Sequence, residues 1–490
     1  MLEFLIYFLN SFKSCFRNEC SFHNFIFCVL AIIASPCPDG ISSLIRALSL
    51  KPSCYDKLQN FFKRSQWNLD KMNFILIQLV LQFAPLWSVN GHLVLVGDGC
   101  KVPTDAYKFP AISKEFIESE SASKPNGYIK ALNFAALIFL GFHNGHFFPL
   151  PIWARIVAGN KEILEWQGLE RHTQPAQMAL DALKVLSQVR KSILLVLDRF
   201  YLSKALLDPV FEHNQSHKEK LHVLVRAKNN LKVWTFHSTD PNEKRGRGRP
   251  KKRDFYSLFQ AFEDYKDQFE KTVVSWNGRK VKVEILCLDH FLWGDLENPY
   301  HLRFVLVKSP KGTSIFATTD FTLTGQEAVE TYALRFQIEM CFKTQKEMFG
   351  GFNGRFTCQA LEKFHLKTKK GSPSPASRVK KKDRKKVIET YQAHERYVLI
   401  AMIAQCFCEV CRIKDQSEPS QRRIYQRTYG QIQSLGEMKN YLGDQIKTKI
   451  WIEPENWLKE ILEPQITDIY PTKEMILISS ERRRMVRRCC

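Results

Sequence analysis

Apolar positions change period several times along this chain, and each change predicts an element. Over the first seventy-odd residues they recur at helical steps. SSLIRALSLKPSCYDKLQNFFKRSQWNLDKM reads as short amphipathic segments separated by Pro52 and polar turns. The run Asn24 to Ala34 is apolar for only about 10 to 12 residues, short of the ~20 that cross a bilayer, so it predicts a buried helix. From about Leu93 the pattern changes to short β-branched runs. His92 to Val96, Ser192 to Leu197 and Leu221 to Ala227 are continuously apolar, as strands buried on both faces are. Between about Asn230 and Thr319, VVSW, VKVEILCL, RFVLV and SIFATT predict a strand-rich stretch. Helical period returns at Thr331 to Lys346 (TYALRFQIEMCFKTQK), which Gly350-Gly351 would end. It returns again in RYVLIAMIAQCFCEVCRI, an apolar helix expected to pack back on the core.

Candidate chemistry sits where these elements end. Gly97-Asp98-Gly99 follows the first apolar run and Asp198 follows the second, so each aspartate is expected to cap a buried strand, where ligands of parallel sheets gather. A turn residue or a helix N-cap is the plainer reading of either one alone. In the segment at 331–346, steps of 100° put Tyr332, Arg335, Glu339, Lys343 and Lys346 within roughly an 80° arc of one helix, opposite Leu334, Ile338 and Phe342. Two readings remain open: a solvated face with Glu339 and Lys343 as an i,i+4 pair, or a carboxylate set among groups that bind anions.

The spacing Tyr332, two residues, Arg335, three residues, Glu339, six residues, Lys346 resembles the Y-(2)-R-(3)-E-(6)-K signature of bacterial insertion-sequence transposases with a DDE triad. VLVGDG at the first acid, LLVLDRFY at the second and FATTDFTLTGQEAVETYALRFQIE at the third are similar to that group, over roughly Tyr55 to Gln405. The resemblance implies that Asp98, Asp198 and Glu339 are catalytic and bind metal. They would hold two Mg²⁺ ions, with Mn²⁺ able to substitute, about 3.5 to 4 Å apart for in-line phosphodiester displacement. Tyr332, Arg335, Lys343 and Lys346 would grip DNA phosphates near the cut end. The implied reaction cleaves the element's ends to free a 3′-hydroxyl, which attacks target DNA. The partners implied are double-stranded DNA and a second copy of the chain in the synaptic complex.

Charge changes the picture by its placement. The net +22 resides in Lys244–Arg253 (+7), Lys363–Lys386 (+10) and Arg482–Arg488 (+5), which together account for the whole excess. Basic runs of this kind displace counterions from nucleic acid, or serve solubility. The first run contains Arg247-Gly248-Arg249-Pro250, which resembles the core of an AT-hook. Arg247 and Arg249 are therefore candidates for insertion into a narrow minor groove, with a solvated loop as the alternative. The second run is rich in Lys, Ser and Pro and is expected to be mobile until DNA binds.

Other constellations take bland readings. Cys406, Cys408 and Cys411 lie on an apolar helix without a second CxxC, so they read as buried small hydrophobes rather than zinc ligands. His143 and His146 read as loop or core residues. Trp276 and Trp293 could stack a flipped base, but tryptophan in a small sheet is more often core.

The expectation is an α/β fold: an RNase H-like mixed sheet with flanking helices, interrupted by a β-rich insertion. Residues 1–75 would form a helical DNA-binding region, 76–405 the catalytic domain with its insertion at about 230–319, and 406–490 a helical, basic C-terminal region. Nothing predicts a membrane association, and a cytoplasmic, nucleoid-associated protein is expected. Two alternatives to a transposase stay open: a metal-dependent nuclease on the same fold, and a non-enzymatic DNA-binding relic.

Overall fold

Three of the apolar runs stand side by side as parallel strands. Leu93 to Val96 pair in register with Ile193 to Val196, and Ile193 to Leu197 pair with Leu221 to Val225. Every residue of Ile193–Leu197 is buried, as is each of Leu93 to Val96. Their continuous apolar character follows from helices or other cover on both faces.

The computed structural model describes residues 2–116, 127–237, 251–365, 374–414 and 434–452. Arg247, Arg249, and the basic run at Arg482–Arg488 lie outside the described residues. The fold is mixed α/β, and the chain gathers into two units. One comprises Leu86–Asp98 and His172–Ile338, the other Met1–Pro85, Gly99–Arg171 and Glu339–Cys490.

In the first unit the parallel ladder continues into antiparallel strands. The order runs Glu270–Trp276, Arg279–Leu288, Arg303–Ser309, Gly312–Thr318, Leu221–Arg226, Ile193–Leu197, then the strand that starts at His92. The strand-rich stretch therefore splits in two. Its later part extends the sheet that holds the acids, whereas Lys232–Phe236, Arg253–Ser257, Leu292–Gly294 and Pro299–His301 form a separate four-stranded sheet. Trp234 is buried in that small sheet and donates from Nε1 to the Gly294 carbonyl at 3.0 Å.

The other unit is built around one long helix, Arg384–Lys414. It packs on Glu19–Ala34, on Cys54–Arg64, on the strand His146–Ile156 and on Leu435–Ile452. Aromatic rings fill these contacts: Phe4 lies 5.7 Å from Phe407, and Phe62 lies 5.3 Å from Tyr397. The expected Asn24–Ala34 helix is the buried end of Glu19–Ala34, capped by Asn18, whose side chain accepts from the Ser21 amide at 2.8 Å. Among the described residues no helix is long and apolar enough to cross a membrane. His143 and His146 flank a tight turn between the strands Tyr128–His143 and His146–Ile156, with Asn144 and Gly145 both at positive φ. Cys406, Cys408 and Cys411 are buried, and burial pushes the thiols of Cys406 and Cys408 up, as small core residues require.

Three expectations need correction. The first strand does not end at Asp98: it runs His92–Pro103, because Gly97 and Gly99 here continue an extended strand rather than form a turn. The segment at 331–346 is not one helix. Gly325–Ala333 and Phe336–Glu347 are separate, joined at Leu334 and Arg335 by tightened bonds in which Leu334 N–H reaches the Thr331 carbonyl and Arg335 N–H that of Tyr332. The 100° count therefore does not carry from Tyr332 to Glu339. Finally, of the basic segment Lys363–Lys386, residues 366–373 lie outside the described residues, and the part from Ser374 onward forms short 3₁₀ turns at Pro375–Arg378 and Lys381–Asp383 before the long helix starts at Arg384.

Candidate active site

The register that sets Val96 opposite Val196 brings Asp98 level with Asp198 on the neighbouring strand path. Both carboxylates are half-buried, at the end of a ladder in which Leu93 to Val96 and Ile193 to Leu197 are buried. Two like charges so placed repel each other unless cations or donors compensate them. The helix Gly325–Ala333 and the turn after it supply such groups. That helix starts with a reciprocal capping box: Thr324 accepts from the Glu327 amide, and Glu327 accepts from the Thr324 amide at 2.9 Å.

Tyr332 lies on the last turn of this helix, 7% exposed, with its ring 4.8 Å from that of Phe316. Its hydroxyl donates to Asp198 Oδ1 at 3.3 Å. Burial first, and then the Asp198 carboxylate, push the phenol up to about 12, against the opposing pull of Arg335, so it remains a donor. Arg335 sits in the tightened turn, and its Nη1 donates to Asp98 Oδ2 at 2.8 Å. Both partners are about one-fifth exposed, where a charge-assisted bond is worth more than it is on an open surface. Two members of the Tyr/Arg/Glu/Lys spacing therefore touch the two aspartates.

Tyr201 was not anticipated. It follows Asp198 by three residues, is fully buried, and accepts from Gln174 Nε2 at 2.9 Å. Burial pushes its hydroxyl well up, and Asp98 and Asp198 both add to that rise while Arg335 opposes it. One phenol thus feels the charges of both acids and of the guanidinium. The only sequence signal was its position in LLVLDRFY.

Glu339, Lys343 and Lys346 are exposed residues of Phe336–Glu347, grouped with the other unit. Lys343 Nζ lies 4.0 Å from Glu347 Oε2, a solvent-screened pair. Trp276 ends one strand of a hairpin, opposite Arg279, and the Trp293 ring lies 5.8 Å from that of Tyr300 in the small sheet. Arg247 and Arg249 lie outside the described residues.

The donor set around Asp98 and Asp198 is carboxylate and phenol oxygen with one guanidinium. Oxygen donors suit hard divalent cations, and among the described residues shown to meet there none offers an imidazole or thiolate to favour softer ones. No curated protein matches the sequence. Residues 30–280 match the family described as DDE superfamily endonuclease, a span that contains both aspartates and ends before Glu339. The chain belongs to the DDE superfamily endonuclease family.

Proposed function

We propose that this endonuclease-family protein is the transposase of an insertion sequence: it binds the element's ends, cleaves their phosphodiesters and transfers the freed 3′-hydroxyls to target DNA. The observation that carries the proposal is the pair of contacts from Tyr332 to Asp198 and from Arg335 to Asp98, because they join the signature spacing to the two strand-borne acids. Endonucleases of this family use divalent cations. Bound there, such ions, taken as Mg²⁺ with Mn²⁺ able to substitute, would compensate charge on the attacking and leaving oxygens. Asp98, Asp198 and Glu339 would hold them, and Tyr332 and Arg335 would orient the two aspartates.

Lys343 and Lys346, exposed and free to reach solvent-borne phosphate, would grip DNA near the cut as point charges, with Arg247 and Arg249 as further contacts. The fold is read as RNase H-like, with the small four-stranded sheet and its neighbours as the insertion. Residues 1–75 would then contact DNA, 76–405 would form the catalytic domain and 406–490 the basic C-terminal region. A homodimer on two DNA ends and a nucleoid location complete the proposal.

The test is cleavage of a labelled duplex carrying the flank of the protein's own coding element, with and without Mg²⁺, by wild type, Asp98→Asn, Asp198→Asn and Glu339→Gln. Boundary cleavage that needs metal and all three acids is expected, with end binding retained in the variants. An active Glu339→Gln protein would sink the assignment. The family match itself favours a second reading, an endonuclease without strand transfer. A pre-cleaved 3′-hydroxyl end that fails to join target DNA would support it.

A further inference from the structure

His92, His222 and Asp320 converge at the opposite end of the parallel ladder from Asp98 and Asp198. One ligating atom from each lies within 4.8 Å of the others. His92 opens its strand, His222 is the second residue of Leu221–Arg226, and Asp320 lies in the short link between Gly312–Thr318 and the helix Gly325–Ala333. The imidazole rings are 4.7 Å apart, and His92 Nε2 is 3.4 Å from Asp320 Oδ2. Six residues of strand separate His92 from Asp98, roughly 20 Å at a strand's rise, so this cluster is not part of the acid pair.

We propose that these three residues bind a zinc ion that clips the link at Asp320 to the starts of the parallel strands. Three observations support this. Asp320 is 1% exposed, a position a carboxylate rarely holds without a cation. Its Oδ1 is fixed by Thr322, accepting from the amide at 2.9 Å and from the hydroxyl at 2.7 Å, which orients the carboxylate as second partners of a metal ligand do. Its Oδ2, together with Nδ1 of His92 and Nδ1 of His222, is buried and has no hydrogen-bond partner among the described residues. Buried polar atoms in that state are rare, and here each of the three residues whose ligating atoms cluster within 4.8 Å carries one.

Two imidazoles and a carboxylate match the three-ligand zinc pattern that leaves a fourth position to water. Tetrahedral zinc sets ligand atoms roughly 3.4 Å apart, so side-chain rotations of about an ångström would close the present spread. The same link leads into the helix that carries Tyr332, so the ion would hold the start of that helix against the strands. Asn90 already tethers the link, donating from Nδ2 to the Thr322 carbonyl at 3.2 Å.

The experiment uses the full chain, stripped with chelator and titrated with Zn²⁺ and, as a spectroscopic probe, Co²⁺. In an Asp98→Asn, Asp198→Asn background the acid pair is removed from the reading. Free Zn²⁺ at a hundredfold excess over Kd is expected to raise the unfolding midpoint by about 3 °C. Co²⁺ should give ligand-field bands of a tetrahedral or five-coordinate site without thiolate charge transfer. His222→Asn, His92→Gln and Asp320→Asn should each abolish both signals. Binding that persists in all three variants, or a wild type that takes up no Zn²⁺, overturns the proposal. If a variant fails to fold, X-ray absorption of the zinc-loaded wild type decides: nitrogen and oxygen scatterers with imidazole multiple scattering support the site, and sulfur scatterers refute it.

Discussion

At the scale of single residues, Tyr332 is the most informative side chain, because one of its ends is core and the other is chemistry. Replacing it with Phe keeps the ring against Phe316 and removes only the donor to Asp198. Tyr332→Phe is expected to unfold within about 1 kcal/mol of wild type while single-turnover DNA cleavage falls about tenfold. Unchanged cleavage would mean that the hydroxyl does not position Asp198. A second residue controls acid stability. His394 is buried, with Nε2 2.9 Å from the Phe356 carbonyl, and burial holds its imidazole down to about 4. The unfolded chain therefore binds a proton that the folded one refuses. Stability is intact above about pH 6.5 and is lost as pH falls toward 4, by an amount on the order of 3 kcal/mol. His394→Gln, which retains a donor, should lose this component. Once the loss of one buried bond is subtracted, midpoints measured from pH 4 to 8 should match wild type above about pH 6.5 and exceed it increasingly toward pH 4.

At the scale of elements, legibility followed locality. The parallel strands could be read because burial on both faces leaves an unbroken apolar run, and Asp98 and Asp198 could be singled out because they interrupt or end such runs. The break at Leu334 and Arg335 could not be read. It contains neither Gly nor Pro, and periodicity assumes the helix it is meant to detect. Tyr201 escaped because its place beside two acids is set by the fold and not by its neighbours in sequence. The His92, His222 and Asp320 cluster escaped for a stronger form of the same reason, since no spacing rule links residues so distant along the chain. Gly350-Gly351 was read correctly as a stop: the helix ends at Glu347 and Gly350 adopts φ +62°. A Cβ there would stand 2.1 Å from the Pro38 carbonyl oxygen. Gly350→Ala should cost about 2 to 4 kcal/mol in denaturant unfolding, combining left-handed strain with a backbone clash. A loss below about 0.5 kcal/mol would show that this close approach is not maintained in solution.

At the scale of the whole molecule, charge is unevenly distributed along the chain. The basic excess sits in three runs of the sequence, whereas the described interior of each unit is apolar. DNA affinity should therefore fall linearly in a plot of log K against log salt, with a slope near −0.9 for each phosphate neutralised. Deleting Lys244–Arg253 should flatten that slope and weaken A·T-rich binding more than it slows cutting of ends already bound. An unaltered slope would assign this run to solubility.

The long helix Arg384–Lys414 and the helix Leu435–Ile452 both cover Glu19–Ala34, which is apolar nearly all round. During synthesis, that early helix leaves the ribosome hundreds of residues before its cover exists. It must wait unsheathed, and any chain that stops short of Arg384 keeps it so. Truncated or frameshifted products should therefore aggregate or be degraded instead of persisting as partial DNA-binding fragments, and only a full-length read of the gene yields a long-lived protein.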